Sequence, residues 1–181
     1  MIIGLVGKAK SGKDTVADYI VRQHNFEKVA FADDLKALCK NMFDLTDAQV
    51  HTQEGKETVD VRYGITPREI LQKVGTDWFR SVYPNIWVNR LVKKLQDRSA
   101  DDFVVTDIRF PNEVDAIKSI GGIIVKIVRP DGGDIGTFAA HASETALDNL
   151  PFTKINHIIT AASGELQKLY DGIKQVVLET K

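Results

Sequence analysis

Met1-Ile2-Ile3-Gly4-Leu5-Val6-Gly7-Lys8-Ala9-Lys10-Ser11-Gly12-Lys13-Asp14-Thr15 is the stretch from which the rest of the chain can be read outward. Its first six residues are an apolar run of the kind that makes a buried strand. Residues Asp14 to His24 then carry Val16, Ala17, Ile20 and Val21 at three- and four-residue spacing, which predicts a helix with one buried face. Between them Gly7, Gly12 and Lys13 stand at the spacing G-x-x-x-x-G-K-[ST], with Asp14 in place of the usual Ser or Thr. Glycines there let the backbone wrap closely, so that N–H groups and the positive end of the helix converge on a phosphate while Lys13 supplies a mobile cation. A plain glycine turn has no use for a lysine at a helix start, where its charge opposes the helix dipole. The pattern predicts a phosphate-binding loop built from Gly7, Ala9, Lys10, Ser11, Gly12, Lys13, Asp14 and Thr15.

Composition bounds the rest of the chain, since 181 residues suffice for one core with a small excursion. Apolar residues at 43% and charged residues at 27% are ordinary for a globular protein. A net charge of -1 gives no general reason to expect a nucleic acid or a membrane as partner, so an anion must be captured locally. Cys39 is the sole cysteine, which rules out an intramolecular disulfide and a four-thiolate metal site. No apolar run approaches membrane-spanning length and the first strand starts without a leader-like segment. The expectation is a cytoplasmic protein, monomer or homodimer, acting on a small molecule.

Further along, Lys28–Ala32 reads as a strand ending at Asp33-Asp34, where carboxylates favour a helix start, and Leu35, Leu38, Met42 and Phe43 continue at helical spacing. From Asp44 to Ala100 helical periodicities dominate. Thr46–Glu57 reads as a short helix and loop. Thr66-Pro67-Arg68-Glu69 is a capping sequence, followed by a stripe of Ile70, Leu71, Val74, Trp78, Phe79 and Val82. After Pro84, Ile86–Gln96 resumes as a helix. Asp102–Asp107 returns to strand character, Pro111 starts a helix that Gly121-Gly122 stops, and Ile123–Val128 is an apolar strand of the two-sided buried type. Pro130–Gly136 reads as a loop, Ala142–Leu150 as a short helix, Ile155–Thr160 as a last strand and Gly164–Glu179 as a closing helix. This order predicts a three-layer α/β protein with a parallel sheet, its core at residues 1–34, 101–129 and 151–181, a helical insert at 35–100 and a lid at 130–150.

Asp107 ends an apolar strand, the place where open α/β sheets bind ligands and where phosphate-loop enzymes keep an acid, although turns also favour Asp. Arg109, Asn112 and Glu113 follow at once and bring a guanidinium, an amide and a carboxylate to the same crevice. Arg109 holds a phosphate oxygen in one reading and pairs with a nearby acid in the other. A carboxylate at Asp14 repels polyphosphate unless Mg2+ or its water lies between, so Asp14, Thr15 and Asp107 are the candidate metal residues. The plainer reading of Asp14 is a helix N-terminal carboxylate. His24, His51 and His157 have no ligand spacing.

Lys10-Ser11-Gly12-Lys13-Asp14-Thr15, Phe31-Ala32-Asp33-Asp34-Leu35-Lys36, Pro67-Arg68-Glu69-Ile70-Leu71-Gln72-Lys73-Val74-Gly75-Thr76-Asp77 and Thr106-Asp107-Ile108-Arg109-Phe110-Pro111-Asn112-Glu113 together resemble the phage-type deoxynucleoside monophosphate kinases and their bacterial relatives. The resemblance spans most of the chain. It implies a P-loop NTPase fold with a helical acceptor-binding insert and a short lid, and transfer of the γ-phosphoryl group of ATP, with Mg2+, to a deoxynucleoside 5′-monophosphate. It also implies Lys13, Asp107 and Arg109 as catalytic residues, Lys36 and Arg68 as ligands of the acceptor phosphate, and Gly75, Thr76 and Asp77 as a turn near base or sugar. Trp78 stacks on a base in this scheme, or belongs to the core as the stripe suggests. His141, Ser143 and Glu144 are a polar cluster that contacts the acceptor base or sugar in this scheme, while in the plainer reading a lone loop histidine such as His141 is solvent-exposed. The lid departs from the common kinase pattern, with no Lys or Arg from Pro130 to Thr153, so that Lys13, Mg2+, Arg109 and Arg129 are left to meet the charge of the transferred group. The loop variant with Asp also resembles animal-type phosphomevalonate kinases, and a dephospho-coenzyme A kinase is a further alternative. A regulatory nucleotide switch fits less well, since the N-K-x-D and D-x-x-G motifs of guanine-nucleotide switches are absent.

Overall fold

The apolar run predicted to be a strand forms β1 (Ile2–Val6), and everything in the first part of the fold is arranged around it. The computed structural model describes residues 1–130, 146–147 and 149–180. These divide into two compact units, one made of residues 1–30 and 92–181 and the other of residues 31–91.

In the first unit β1 is the middle strand of a five-stranded sheet of order β2-β3-β1-β4-β5. The other strands are β2 (Glu27–Val29), β3 (Phe103–Val105), β4 (Ile123–Val128) and β5 (His157–Thr160). All pairings are parallel, with Ile3 opposite Val104 on one side and Ile123 on the other. A parallel sheet needs crossover helices, and these cover both faces. On one face α1 (Lys13–His24) and the closing helix α9 (Leu166–Thr180) bury Val16, Ala17, Ile20, Leu169, Ile173, Val176 and Val177 against Ile3, Leu5, Val104, Val125, Ile127 and Ile159. Tyr19 of α1 stacks on Tyr170 of α9 with ring centroids 4.5 Å apart. The other face takes α8 (Pro111–Ser119), whose Val114 and Ile117 are fully buried. There Gly4 leaves room for Ile108 and Ile124, whose methyl groups lie 2.5 and 2.9 Å from where a Cβ would stand. The three layers expected from the sequence are present.

β2 is shorter than the expected Lys28–Ala32, because the chain leaves the ladder after Val29 to begin the next helix at Asp33. That helix, α2 (Asp33–Phe43), opens the second unit. It is followed by α3 (Asp47–His51), α4 (Gln53–Glu57), α5 (Pro67–Gln72), a π-helical turn (Lys73–Trp78), α6 (Phe79–Val82) and the start of α7 (Ile86–Asp97). Their short lengths follow from their caps. Thr46 and Gln49 form a reciprocal capping box, as do Thr66 and Glu69, while Thr52 accepts from the Gly55 N–H at 3.0 Å. Buried Asp60 anchors the turn before α5 by accepting from the Arg62 backbone N–H at 3.0 Å, Arg62 Nη2 at 2.7 Å and Gln49 Nε2 at 2.8 Å. The Arg62 hydrogen bonds hold its carboxyl well below the usual range.

The π turn corrects the predicted stripe. Ile70 and Val74 are buried, as helical spacing requires, but Trp78 is 64% exposed and Val82 is exposed too. The extra residue in a π turn rotates the next part of the helix out of register. Gly75 sits inside the turn, where a Cβ would lie 2.4 Å from Leu35 Cδ2 of α2, and its carbonyl accepts the indole N–H of buried Trp87 at 2.9 Å. No helix among the described residues is long and apolar enough to cross a membrane.

Candidate active site

β1 and β3 are adjacent and parallel, so their C-terminal ends lie side by side, and these ends carry the loop Gly7–Thr15 and the segment from Asp107 to Glu113. The loop needs left-handed backbone at Gly7 (φ 149°), Lys10 (φ 60°) and Gly12 (φ 104°). Gly7 has a second reason to be glycine, since a Cβ would stand 2.4 Å from the carbonyl oxygen of Ile127 on β4. The Ser11 N–H closes the turn onto the Lys8 carbonyl at 3.2 Å. The Ser11 hydroxyl is buried and has no hydrogen-bond partner among the described residues, so a polar group is held in reserve inside the loop. Ala9 and Thr15 are half-buried beside it.

Lys13 bends back over the loop. Its Nζ donates to the carbonyls of Gly7 and Lys8 at 2.7 Å each. Burial, and next the positive charge of Arg109, lower its pKa to about 8, against the opposing pull of Asp14 and Asp107. Arg109, Asp14 and Asp107 thus all act electrostatically on this one ammonium. Glu113, fully buried at the start of α8, accepts the backbone N–H groups of Arg109 at 2.7 Å and Phe110 at 3.0 Å. Its carboxylate shapes the turn that carries Arg109. Asn112 is half-buried beside it, and Arg129 directly follows β4.

In the second unit Lys36 lies half-buried on α2. Arg68, on α5, donates from Nη2 to Gln53 Oε1 at 3.1 Å and to Glu57 Oε1 at 3.3 Å, so α4 orients its guanidinium. Thr76, Asp77 and Trp78 complete the π turn, with Thr76 half-buried and the other two exposed, while Gly75 is enclosed by packing. His141, Ser143, Glu144 and most of the expected lid lie outside the described residues.

Sequence reading passed over Lys28 of β2. Its Nζ lies 3.2 Å from Asp14 Oδ1 and 3.2 Å from Asp18 Oδ1. The signal was present but indirect, since acids four apart share a helix face and a parallel crossover returns β2 beneath it.

A family model described as deoxynucleotide monophosphate kinase matches residues 46–173. A protein of Acanthamoeba polyphaga mimivirus with a provisional deoxynucleotide monophosphate kinase assignment is 37% identical over 96% of this chain and 94% of its own. The deoxynucleoside-5′-monophosphate kinase of Escherichia phage T5 is 25% identical over 99% of this chain and 94% of its own. Among solved structures, dephospho-CoA kinase from Campylobacter jejuni superposes with a TM-score of 0.56 at 13% identity, covering 99% of this chain and 98% of that one, a likeness of fold alone.

The Lys13 environment sets a pH dependence. Below about pH 8 the amine is charged in both folded and unfolded chains, and the folded state bears the cost of its burial. Between about 8 and the unfolded value of 10.5 the folded state sheds the proton first, so stability rises with pH. Urea melts of wild type and Lys13→Met should show the wild type gaining on the variant across that window, and a constant difference would contradict the buried ammonium.

Proposed function

The chain belongs to the deoxynucleotide monophosphate kinase family, a family of phosphotransferases, and from that premise we propose that it moves the γ-phosphoryl group of ATP onto the 5′-phosphate of a deoxynucleoside monophosphate. The observation that carries the reading is the Lys13 ammonium, clasped by the loop carbonyls with Arg109, Asp14 and Asp107 around it. Phosphoryl transfer asks little covalent chemistry of a protein. An acceptor oxygen attacks the γ-phosphorus, the bond to the β-phosphate oxygen breaks in line, and ADP leaves as the nucleoside diphosphate forms. Positioning and charge neutralisation supply the acceleration. In this reading the loop N–H groups, the Ser11 and Thr15 hydroxyls and Lys13 hold the donor phosphates, and Arg109, set by Glu113, meets the charge of the transferred group.

Bound Mg2+ would neutralise charge on the triphosphate. The residues fit such an ion: the Asp14 and Asp107 carboxylates both act electrostatically on the Lys13 ammonium of the loop, and Mg2+ in kinases takes one or two carboxylate ligands together with phosphate and water. Asp107, with Asp14 or Thr15, would hold it.

Lys36 and Arg68 would bind the acceptor phosphate, Arg68 with its fork oriented by Gln53 and Glu57. Trp78 would stack on the base, its exposure in the π turn supporting a ligand-facing role, with Thr76 and Asp77 beside the sugar and Asn112 near the transferred group. His141 and Glu144 would contact the acceptor from the lid.

The test is ADP release from ATP and Mg2+ with dAMP, dCMP, dGMP and dTMP in turn. Release with at least one acceptor is expected, falling at least about 10³-fold in Lys13→Ala with an unchanged circular dichroism spectrum. Near-full activity in that variant would remove Lys13 from the mechanism, and equal ADP release without any acceptor would replace the kinase by a hydrolase. In steady-state kinetics Trp78→Ala should raise the acceptor KM about ten-fold with the ATP KM unchanged, and Trp78→Phe should restore it. An acceptor KM indifferent to both changes would return Trp78 to the surface.

A further inference from the structure

Asp14 poses an electrostatic problem. At the position after the loop lysine, most loops of this spacing carry an uncharged hydroxyl, and a carboxylate there adds negative charge beside a polyphosphate. Asp14 is not buried among donors that would offset it, since its side chain is 83% exposed. The offset comes from β2. Lys28, reached through the α1 crossover and paired in the sheet with Val104, places its ammonium 3.2 Å from the Asp14 carboxylate. The same ammonium lies 3.2 Å from Asp18, one helical turn further on, so that one cation is held between two acids on a single face of α1. Ion pairs this exposed add little to stability. Their consequence is where they put charge, directly beside the loop.

We propose that Lys28 is a positioning residue for the nucleotide: it holds the Asp14 carboxylate to the β2 flank of α1 and offsets its charge, so that a loop with an acid at this position accepts a triphosphate. Asp18 keeps the lysine in place. The inference rests on the reading of Gly7–Thr15 as the ATP loop and deepens it by assigning the compensating charge. It also gives Asp14 two states. Paired with Lys28, the carboxylate is kept from repelling phosphate; released, it is available to a divalent cation.

The two states predict effects of opposite sign, which a damaged fold does not produce. Isothermal titration of ATP at low salt without divalent ions should show binding to Lys28→Met weakened about five-fold, with Lys28→Arg near wild type. In the same variant the Mg2+ concentration that half-saturates the protein–ATP complex should fall, because Asp14 is freed. In an Asp14→Asn background Lys28→Met should change metal-free affinity less than about two-fold and leave the Mg2+ requirement unmoved, by the logic of a double-mutant cycle. An equal loss in the Asp14→Asn background would show Lys28 acting on the nucleotide directly and overturn the proposal. So would a Lys28→Met protein that binds ATP and Mg2+ as wild type does. If the wild type itself binds no ATP, the loop reading fails and takes the inference with it.

Discussion

The Lys13 ammonium folded onto the carbonyls of Gly7 and Lys8 is the interaction on which the site depends. It exists because β1 ends in the middle of the sheet and the chain turns into α1 within a few residues, through left-handed backbone at Gly7, Lys10 and Gly12. The loop is fitted to its neighbour as well, with Gly7 against the Ile127 carbonyl of β4. Such a loop holds a half-buried cation whose pKa has fallen to about 8, and a serine hydroxyl with no partner among the described residues. Both are local costs of the kind that functional sites carry at the expense of stability.

The fold was legible wherever the signal was local. Thr66, Pro67 and Glu69 announce the start of α5 within four residues, and the structure shows the reciprocal bonds that the spacing implies. Ile123–Val128 forms β4 over the span that the apolar run marks, because a central parallel strand is buried on both sides. β2 was read too long, since Ala30–Ala32 are apolar whether they pair or lead into a helix. Trp78 was misread as core in one of its two readings for a reason no periodicity contains. The π turn is held by contacts from elsewhere in the chain, with Leu35 filling the space beside Gly75 and the Trp87 indole on its carbonyl.

The site divides in the same way. Gly7–Thr15 is contiguous, and Asp107 and Arg109 follow a strand that parallel pairing sets beside β1, so their common end of the sheet was legible in the order of elements. What it could not supply was orientation. That Glu113 holds the backbone of Arg109, and that Gln53 and Glu57 hold Arg68, depends on side-chain directions. Lys28 was a charged residue in a short strand until the crossover put it beside Asp14. In each case the residue acts on another side chain or on backbone, which is why its own local pattern carried no sign of that role.

The central claim is that triphosphate sits in the Gly7–Thr15 loop, and amide chemical-shift mapping tests it most directly. On addition of ATP with Mg2+, the account predicts the largest shifts at Lys10 through Thr15, with a second group at Asp107 to Phe110. Saturable shifts elsewhere that leave Ser11, Gly12 and Lys13 unmoved would contradict it.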